Sequence, residues 1–172
     1  MLSTRMSAPN CNETWEETLL RRLPYLGHRN WIVVADAAYP QQTSPGIQTI
    51  LAEGGVADAV TIVLETVRSS SHVRPIIYLD KELAALPVRH AAGIETVRIR
   101  LAAATAGLSV RQLPHDEIIA KLDAAGRNFH VLLIKTRETL PYTSVFIELD
   151  CGYWSSEAEQ DLRTTMKSPP NL

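Results

Sequence analysis

The chain has 172 residues, of which 45% are hydrophobic and 21% are charged, a composition typical of one ordinary globular domain. A chain of this length buries roughly 70% of its unfolded surface on folding, so its core needs no disulfide or metal ion. The formal charge of −2 and the pI of about 6.2 give no electrostatic reason to expect nucleic acid or an anionic membrane as a partner.

The first predicted elements are a helix and a buried strand. Thr14 and Glu17 have the spacing of a capping box, so a helix is expected to start at Thr14 and to break near Pro24. The run "WIVVA" (31–35) is apolar throughout and rich in β-branched residues, as expected of a strand that is covered on both faces.

The middle of the chain mixes extended and helical patterns. Residues 41–55 are predicted to hold a turn and a short helix that stops at a Gly-Gly pair. Residues 56–67 fit a buried helix or a strand equally well, because periodicity alone does not separate the two. The segment "RPIIYLD" (74–80) predicts a second strand, and residues 87–107 predict a helical region.

Three further strands and one helix complete the pattern. "LSVRQL" (108–113) alternates as a strand does, and "PHDEIIAKLDAAG" (114–126) predicts a helix with proline in its first turn and glycine at its end. "FHVLLIKT" (129–136) and "SVFIELDC" (144–151) predict two more strands. The segment from residue 155 onward is polar, and we expect it to be frayed.

Strands that alternate with helices predict an α/β domain of three layers, in which a largely parallel central sheet is flanked by helices. We expect residues 1–172 to form a single domain. It would consist of an N-terminal extension (1–13), a core (14–154) and a polar tail (155–172).

Polar residues follow three of the predicted strands, at the edge of the sheet where ligands usually bind. They are Asp36, Asp80 and the segment 136–138. No strand is followed by GxGxxG or by GKS/T, so no nucleotide cofactor is expected. Cys11 and Cys151 are isolated, which predicts neither a metal site nor a redox pair.

Hydropathy gives no sign of a membrane or secreted protein. No apolar run approaches the roughly 20 residues of a membrane span. The first residues, "MLSTRMSAPNCNETWEE", lack the apolar region of a signal peptide, so we expect a cytoplasmic protein.

Three stretches together resemble the D-ribose pyranase and L-fucose mutarotase family. "LGHRNWIVVADAAYP" (26–40) is similar to its signature, in which Gly-His leads into an apolar strand that ends in Asp-Ala and then Pro. "VLLIKTRETLPYTSVFIE" (131–148) is similar to the family's strand, Thr-Gly-Glu turn, Tyr-x-Asn and final strand. A weaker match is "QLPHDEI" (112–118), where the family places a ligand-binding histidine at a helix start. In order, the matches span about residues 18–150.

The resemblance implies an enzyme that interconverts ring forms or anomers of a free, fucose- or ribose-like monosaccharide without a cofactor or a metal ion. Opening a cyclic hemiacetal moves one proton off the anomeric hydroxyl and another onto the ring oxygen, which an imidazole can do near neutral pH. By motif position His28 would carry the proton, and Asp36 would accept hydrogen bonds from sugar hydroxyls. The other implied sugar contacts are Tyr142, Thr143, Ser144 and His115, with Arg111 as the substitute for His115.

Each of these residues also has a purely structural interpretation. His28 can be a turn histidine, Asp36 can cap the turn that follows it, and His115 can be an ordinary first-turn residue. Tyr142 can pack within its loop. Two other classes of protein therefore stay open, a non-catalytic sugar-binding or regulatory protein and an enzyme of other chemistry on the same scaffold.

The chain departs from the family's motifs at three positions. Asn30 stands where Gly-His-x-Asp has its carboxylate, which could orient the imidazole. Ser144 stands where Tyr-x-Asn has its amide, so one hydroxyl replaces a two-donor group. Arg137 replaces the glycine of Thr-Gly-Glu. The departures imply either altered substrate contacts or a retained sugar-binding fold without catalysis.

The distance between His28 and Asp36 bears on assembly. The strand of five residues between them, 31–35, spans about 16 Å at roughly 3.3 Å per residue, which is far longer than a monosaccharide. One sugar contacts His28 and Asp36 of the same chain only if the segment "GHRN" folds back sharply along the sheet. Otherwise His28 lies beside Asp36 and Tyr142 of a neighbouring subunit. The resemblance implies rings, up to decamers, so we predict a homo-oligomer with sites near its subunit interfaces.

Overall fold

The computed structural model describes residues 13–167, and within this range six helices and six strands form three layers. The helices are α1 (Trp15–Arg22), α2 (Val56–Arg68), α3 (Lys81–Ala85), α4 (Ile94–Ala104), α5 (His115–Gly126) and α6 (Ser156–Lys167). The strands are β1 (Trp31–Ala35), β2 (Ile47–Leu51), β3 (Val73–Asp80), β4 (Ser109–Leu113), β5 (Val131–Lys135) and β6 (Val145–Cys151). Short 3₁₀ helices occupy Leu23–Tyr25 and Val88–His90.

The strands form one sheet in the order β2-β5-β1-β6-β3-β4. β1 and β2 both pair in parallel with β5, and β3 pairs in parallel with β4. β6 runs antiparallel to β1 and β3, its two neighbours. The predicted α/β fold with a largely parallel sheet is therefore confirmed. Because β1 lies between β5 and β6, the connection from residue 136 to residue 144 passes across the carboxyl end of β1.

The apolar run of β1 is explained by cover on both faces of the sheet. Ile32 and Val34 belong to a core that includes residues of α1, α2 and α4. Trp31, Val33 and Ala35 point the other way, into a core that includes residues of α5. All five are buried, as predicted for a strand covered on both faces.

The predicted start of α1 is confirmed in detail. The backbone N–H of Glu17 donates to the Thr14 hydroxyl at 3.2 Å, and the backbone N–H of Thr14 donates to the Glu17 carboxylate at 2.9 Å. These reciprocal bonds satisfy two helix-end donors that would otherwise need water.

Two predictions about local structure are wrong. The short helix expected within residues 41–55 is the edge strand β2, because the β-branched residues of "IQTIL" favour extended backbone and β5 offers a parallel partner. The tail expected to be frayed contains α6, which has no buried residue. Residues 168–172, and the predicted N-terminal extension apart from Glu13, lie outside the described residues.

The ambiguous segment 56–67 is the helix α2. Its buried side chains recur at helical spacing along one side and pack in the first core, with Val56, Val60, Val63, Leu64 and Val67 among them. No helix within residues 13–167 has the length and apolarity that crossing a membrane demands.

Candidate functional site

Two carboxylates lie at the end of the sheet where the strands β1 and β3 finish. This end of the sheet is called the carboxyl edge. Val34 of β1 and Leu79 of β3 both pair with Val145 of β6. Asp36 and Asp80, which follow these strand residues, therefore flank the residues that lead into β6. The loop before β6 lies at the same edge, so the sheet gathers polar groups from three parts of the chain.

Asp36 is held in one orientation by bonds to both carboxylate oxygens. Oδ2 accepts from the Ser144 hydroxyl at 2.8 Å, and Oδ1 accepts from the backbone N–H of Ala38 at 2.9 Å. The backbone N–H of Asp36 in turn donates to Ser144 Oγ at 3.1 Å. Asp36 thus caps its turn and is also tied to the start of β6. It stays partly exposed, and each oxygen retains capacity to accept a further bond.

Ser144→Ala should therefore destabilise the protein through Asp36. The change leaves both Asp36 Oδ2 and the Asp36 backbone N–H without their partner, which is expected to lower the free energy of unfolding by about 1–3 kcal/mol. Urea denaturation measures this difference. Ser71→Ala, at an exposed serine, is the matched control. Equal losses in the two variants would contradict a bridging role for Ser144.

His115, the first residue of α5, lies beside Asp80. Its Nδ1 is 3.0 Å from Asp80 Oδ2, and its backbone N–H donates to the two carboxylate oxygens of Glu82 at 3.1 and 3.2 Å. The Asp80 side chain is fully buried, whereas 36% of the His115 side chain is exposed. The imidazole is therefore fixed on its Nδ1 side while part of the ring reaches the surface. Within residues 13–167, no three His, Cys, Asp or Glu side chains are grouped to hold a metal ion.

The burial of Asp80 changes its proton affinity. Burial raises the pKa of this carboxyl from the ordinary 3.8 to about 6, although the hydrogen bond and the charge of His115 oppose the rise. The negative charges of Glu82 and Asp36 add to it. The folded protein therefore binds this proton more tightly than the unfolded chain does.

Asp80→Asn should remove a pH dependence of stability. In the parent, the contribution of Asp80 to the free energy of unfolding falls as pH rises from about 4 to about 6. This contribution stays low above pH 6. Its size is on the order of 3 kcal/mol. Asparagine does not titrate. The free energy of unfolding of the variant, relative to that of the parent, should therefore rise by this amount between roughly pH 4 and pH 7. Urea denaturation of both proteins across this range tests it; a difference that stays constant with pH would contradict the assignment.

Tyr142 packs on His115 with the two rings nearly perpendicular and their centroids 5.7 Å apart. Its φ of 59° is in the left-handed region, which costs energy for a residue other than glycine and is enriched at functional sites. Thr143 and Ser144 are buried, and their hydroxyls bond within the protein. Of this motif, only Tyr142 presents its side chain at the surface.

His28 lies at the opposite edge of the sheet, in the turn that leads into β1. Its Nδ1 is 3.1 Å from Oδ1 of Asp150, near the end of β6. Arg74, near the start of β3, donates to the other oxygen of Asp150 through Nε at 2.9 Å and Nη2 at 2.6 Å. Arg29 has a left-handed φ of 72° directly after the histidine.

The structure therefore divides the predicted site residues between two edges. The residues at the carboxyl edge are Asp36, His115, Tyr142, Thr143 and Ser144. His28 lies at the other end of β1. Arg111 joins neither group, because its guanidinium donates to the Tyr78 hydroxyl at 3.0 Å and lies over the Tyr78 ring.

Sequence reasoning assigned no role to the two carboxylates that contact the histidines. Asp80 was expected at the carboxyl edge but not as the partner of His115. Asp150 was not expected near His28 at all. The one available signal was the carboxylate missing at Asn30, which called for another acidic side chain near the Gly-His turn.

The other departures from the motifs are accommodated in the fold. Asn30 Oδ1 accepts from the backbone N–H of Gly27 at 2.6 Å and so closes the Gly-His turn. Arg137 extends to the surface, where it pairs with Glu53. Neither substitution disturbs the contacts described at the carboxyl edge.

Known proteins of one family match this chain in sequence and in fold. A model of the RbsD / FucU transport protein family matches residues 11–152, which confirms the resemblance predicted from the motifs. RbsD of Bacillus subtilis, solved in complex with D-ribose, superposes with a TM-score of 0.56 at 19% identity, covering 83% of this chain and 96% of that one. The fucose mutarotase of Streptococcus pneumoniae, in complex with L-fucose, gives 0.52 at 18% identity, covering 76% and 89%. No curated protein sequence gives a significant match.

Proposed function

Because the chain belongs to the RbsD / FucU transport protein family, we propose that it is a cofactor-independent mutarotase or pyranase acting on a free, fucose- or ribose-like monosaccharide. The observation that carries this proposal is the grouping of Asp36, His115 and Tyr142 at one edge of the sheet. These are the positions to which the family's motifs give sugar contacts. Both solved relatives, each bound to a monosaccharide, have the same fold.

The proposed reaction requires two proton transfers. A base removes the proton of the anomeric hydroxyl, an acid protonates the ring oxygen, and the bond between the anomeric carbon and the ring oxygen breaks to leave an open-chain aldehyde. Rotation of the aldehyde and reclosure, with the transfers reversed, give the other anomer or ring form. His28 is the proposed proton carrier because of its place in the Gly-His motif, and its exposed imidazole, bonded through Nδ1, offers Nε2. Asp36 would accept hydrogen bonds from the sugar hydroxyls.

In this proposal one site is built from two copies of the chain. His28 and Asp36 lie at opposite ends of β1, and the strand alone spans about 16 Å. The Gly-His turn does not fold back along the sheet, since His28 bonds to Asp150. A sugar held by Asp36 and Tyr142 would therefore meet His28 of a neighbouring copy in a homo-oligomer. The number of copies in the ring and the cytoplasmic location stay predictions.

Saturation-transfer NMR of free sugars tests the proposed activity. We expect the anomer signals of ribose or fucose to exchange faster with the protein than in buffer alone, and faster than with heat-denatured protein. Saturable binding without faster exchange would favour the non-catalytic sugar-binding protein. Neither binding nor exchange with any sugar of the panel would reject the proposal and leave an enzyme of other chemistry.

A further inference from the structure

We propose that Asp150 is a positioning residue for His28, supplying from the end of β6 the carboxylate that this chain lacks at Asn30. The inference rests on the proposed role of His28 as proton carrier. Its geometric part, the orientation of the imidazole by Asp150, can be measured without any reaction.

Asn30 does not orient the imidazole, since both ends of its amide are engaged elsewhere. Its Oδ1 accepts from the Gly27 N–H at 2.6 Å, and its Nδ2 donates to the His130 carbonyl at 3.3 Å. No neutral amide could in any case replace the charge of a carboxylate beside an imidazolium.

The backbone pairing of β1 and β6 brings Asp150 to His28. The Arg29 N–H donates to the Leu149 carbonyl at 2.9 Å, and the Leu149 N–H donates to the Asn30 carbonyl at 2.9 Å. The Gly-His turn therefore runs alongside the end of β6. The contact of Nδ1 with Asp150 Oδ1 is set by this register as well as by the side chains themselves.

Arg74 fixes the direction in which Asp150 accepts. Its Nε and Nη2 both donate to Oδ2, which leaves Oδ1 for the imidazole at 3.1 Å. Burial alone would raise the pKa of Asp150, but the hydrogen bonds from Arg74, from the Cys151 backbone and from His28 hold this pKa below its usual range. An ionised carboxylate only accepts, so Nδ1 must donate.

This arrangement selects the tautomer that the proposed chemistry needs. With the proton on Nδ1, neutral His28 has a free lone pair on Nε2, which is ready to take the proton of an anomeric hydroxyl. The His28 side chain is 56% exposed, whereas that of Asp150 is 23% exposed. The carboxylate is thus largely shielded from solvent, whereas the imidazole is exposed to solvent, as a positioned base requires.

Asp150→Asn should reverse the tautomer. Arg74 carries only donors, so it binds the amide oxygen and turns the amide N–H₂ toward His28, whose Nδ1 must then accept. The proton moves to Nε2 and the base is lost. We expect kcat for anomer exchange to fall by roughly 10- to 100-fold with little change in KM, less than the 10⁴-fold loss at a buried triad. Asp161→Asn, at an exposed carboxylate of α6, is the matched control and should keep the parent rate.

A second carboxylate at position 150 separates the charge from a structural effect. Asp150→Glu keeps an acceptor-only group there, so we expect a kcat at least tenfold higher than that of Asp150→Asn. A merely structural role for Asp150 predicts equal losses of kcat in the two variants. Equal losses would overturn the proposal.

Nitrogen-15 NMR of the histidine side chains reads the geometry independently of activity. We expect neutral His28 to be protonated on Nδ1 in the parent and on Nε2 in Asp150→Asn. If this switch occurs in a protein that exchanges no sugar, the positioning contact stands and the proposed function fails. If the parent is active but neither the tautomer nor kcat changes in Asp150→Asn, the function stands and the positioning role is overturned.

Discussion

Replacing His28 with alanine is expected to reduce anomer exchange to the buffer rate, a loss of roughly 10²–10⁴-fold. The physical reason is that the variant removes the one imidazole carried by the Gly-His motif. His115 is likewise bonded to a carboxylate, but the motif resemblance gives it a sugar contact and not the proton transfer. The fold should survive, because the His28 side chain is 56% exposed and contributes to no core. Saturation-transfer NMR gives the rate, and circular dichroism verifies the fold.

His90→Ala is the matched control for this experiment. His90 is exposed and belongs to none of the motifs, so its removal should leave exchange at the parent rate. Parent-like exchange in folded His28→Ala would reject His28 as the proton carrier. If His115→Ala alone abolished exchange, the assignment would pass to the imidazole at the carboxyl edge.

The carboxyl edge was predictable from local sequence. The apolar run before Asp36 identifies a buried strand, and a polar residue directly after such a strand belongs at its end. The start of a helix at His115 followed from Pro114, whose fixed φ suits the entry to a helix. Both inferences depend only on residues adjacent in sequence, so the local pattern is enough to predict the end of the strand and the start of the helix.

The partners of the two histidines were beyond such reasoning, since they depend on strand register. Asp150 meets His28 only because β6 runs antiparallel beside β1. Periodicity gives a strand's faces but neither its neighbour nor its direction. Asp80 was expected at the right edge, yet its contact with His115 depends on how α5 packs against β3.

The motif residues Thr143 and Ser144 show a further limit. By resemblance they were expected to touch the sugar, but both are buried and their hydroxyls bond inside the protein. A hydroxyl beside a strand start can face a ligand or a neighbouring backbone, and composition does not separate the two cases. Here Ser144 bonds to Asp36, so the expected effect of mutating it is a loss of stability.

The shared site predicts that two inactive variants restore each other. His28→Ala retains the Tyr142 half of a site, and Tyr142→Ala retains the His28 half. We expect each variant alone to be inactive and their mixture, dissociated and reassembled at equal amounts, to recover activity. If a site takes His28 from one copy and Tyr142 from its neighbour, random assembly makes about one quarter of the interfaces intact. The recovered rate per subunit should therefore approach about one quarter of the parent rate.

The control for this recovery is a mixture of His28→Ala with the double variant His28→Ala/Tyr142→Ala. No interface in that mixture contains an intact His28, so its exchange should stay at the buffer rate. Light scattering before and after reassembly verifies that hybrids form. Hybrids of the size of the parent oligomer that recover no activity would show that both residues act within one copy. A monomer with full activity would reject the oligomer itself, and with it the explanation for two half-sites at opposite ends of β1.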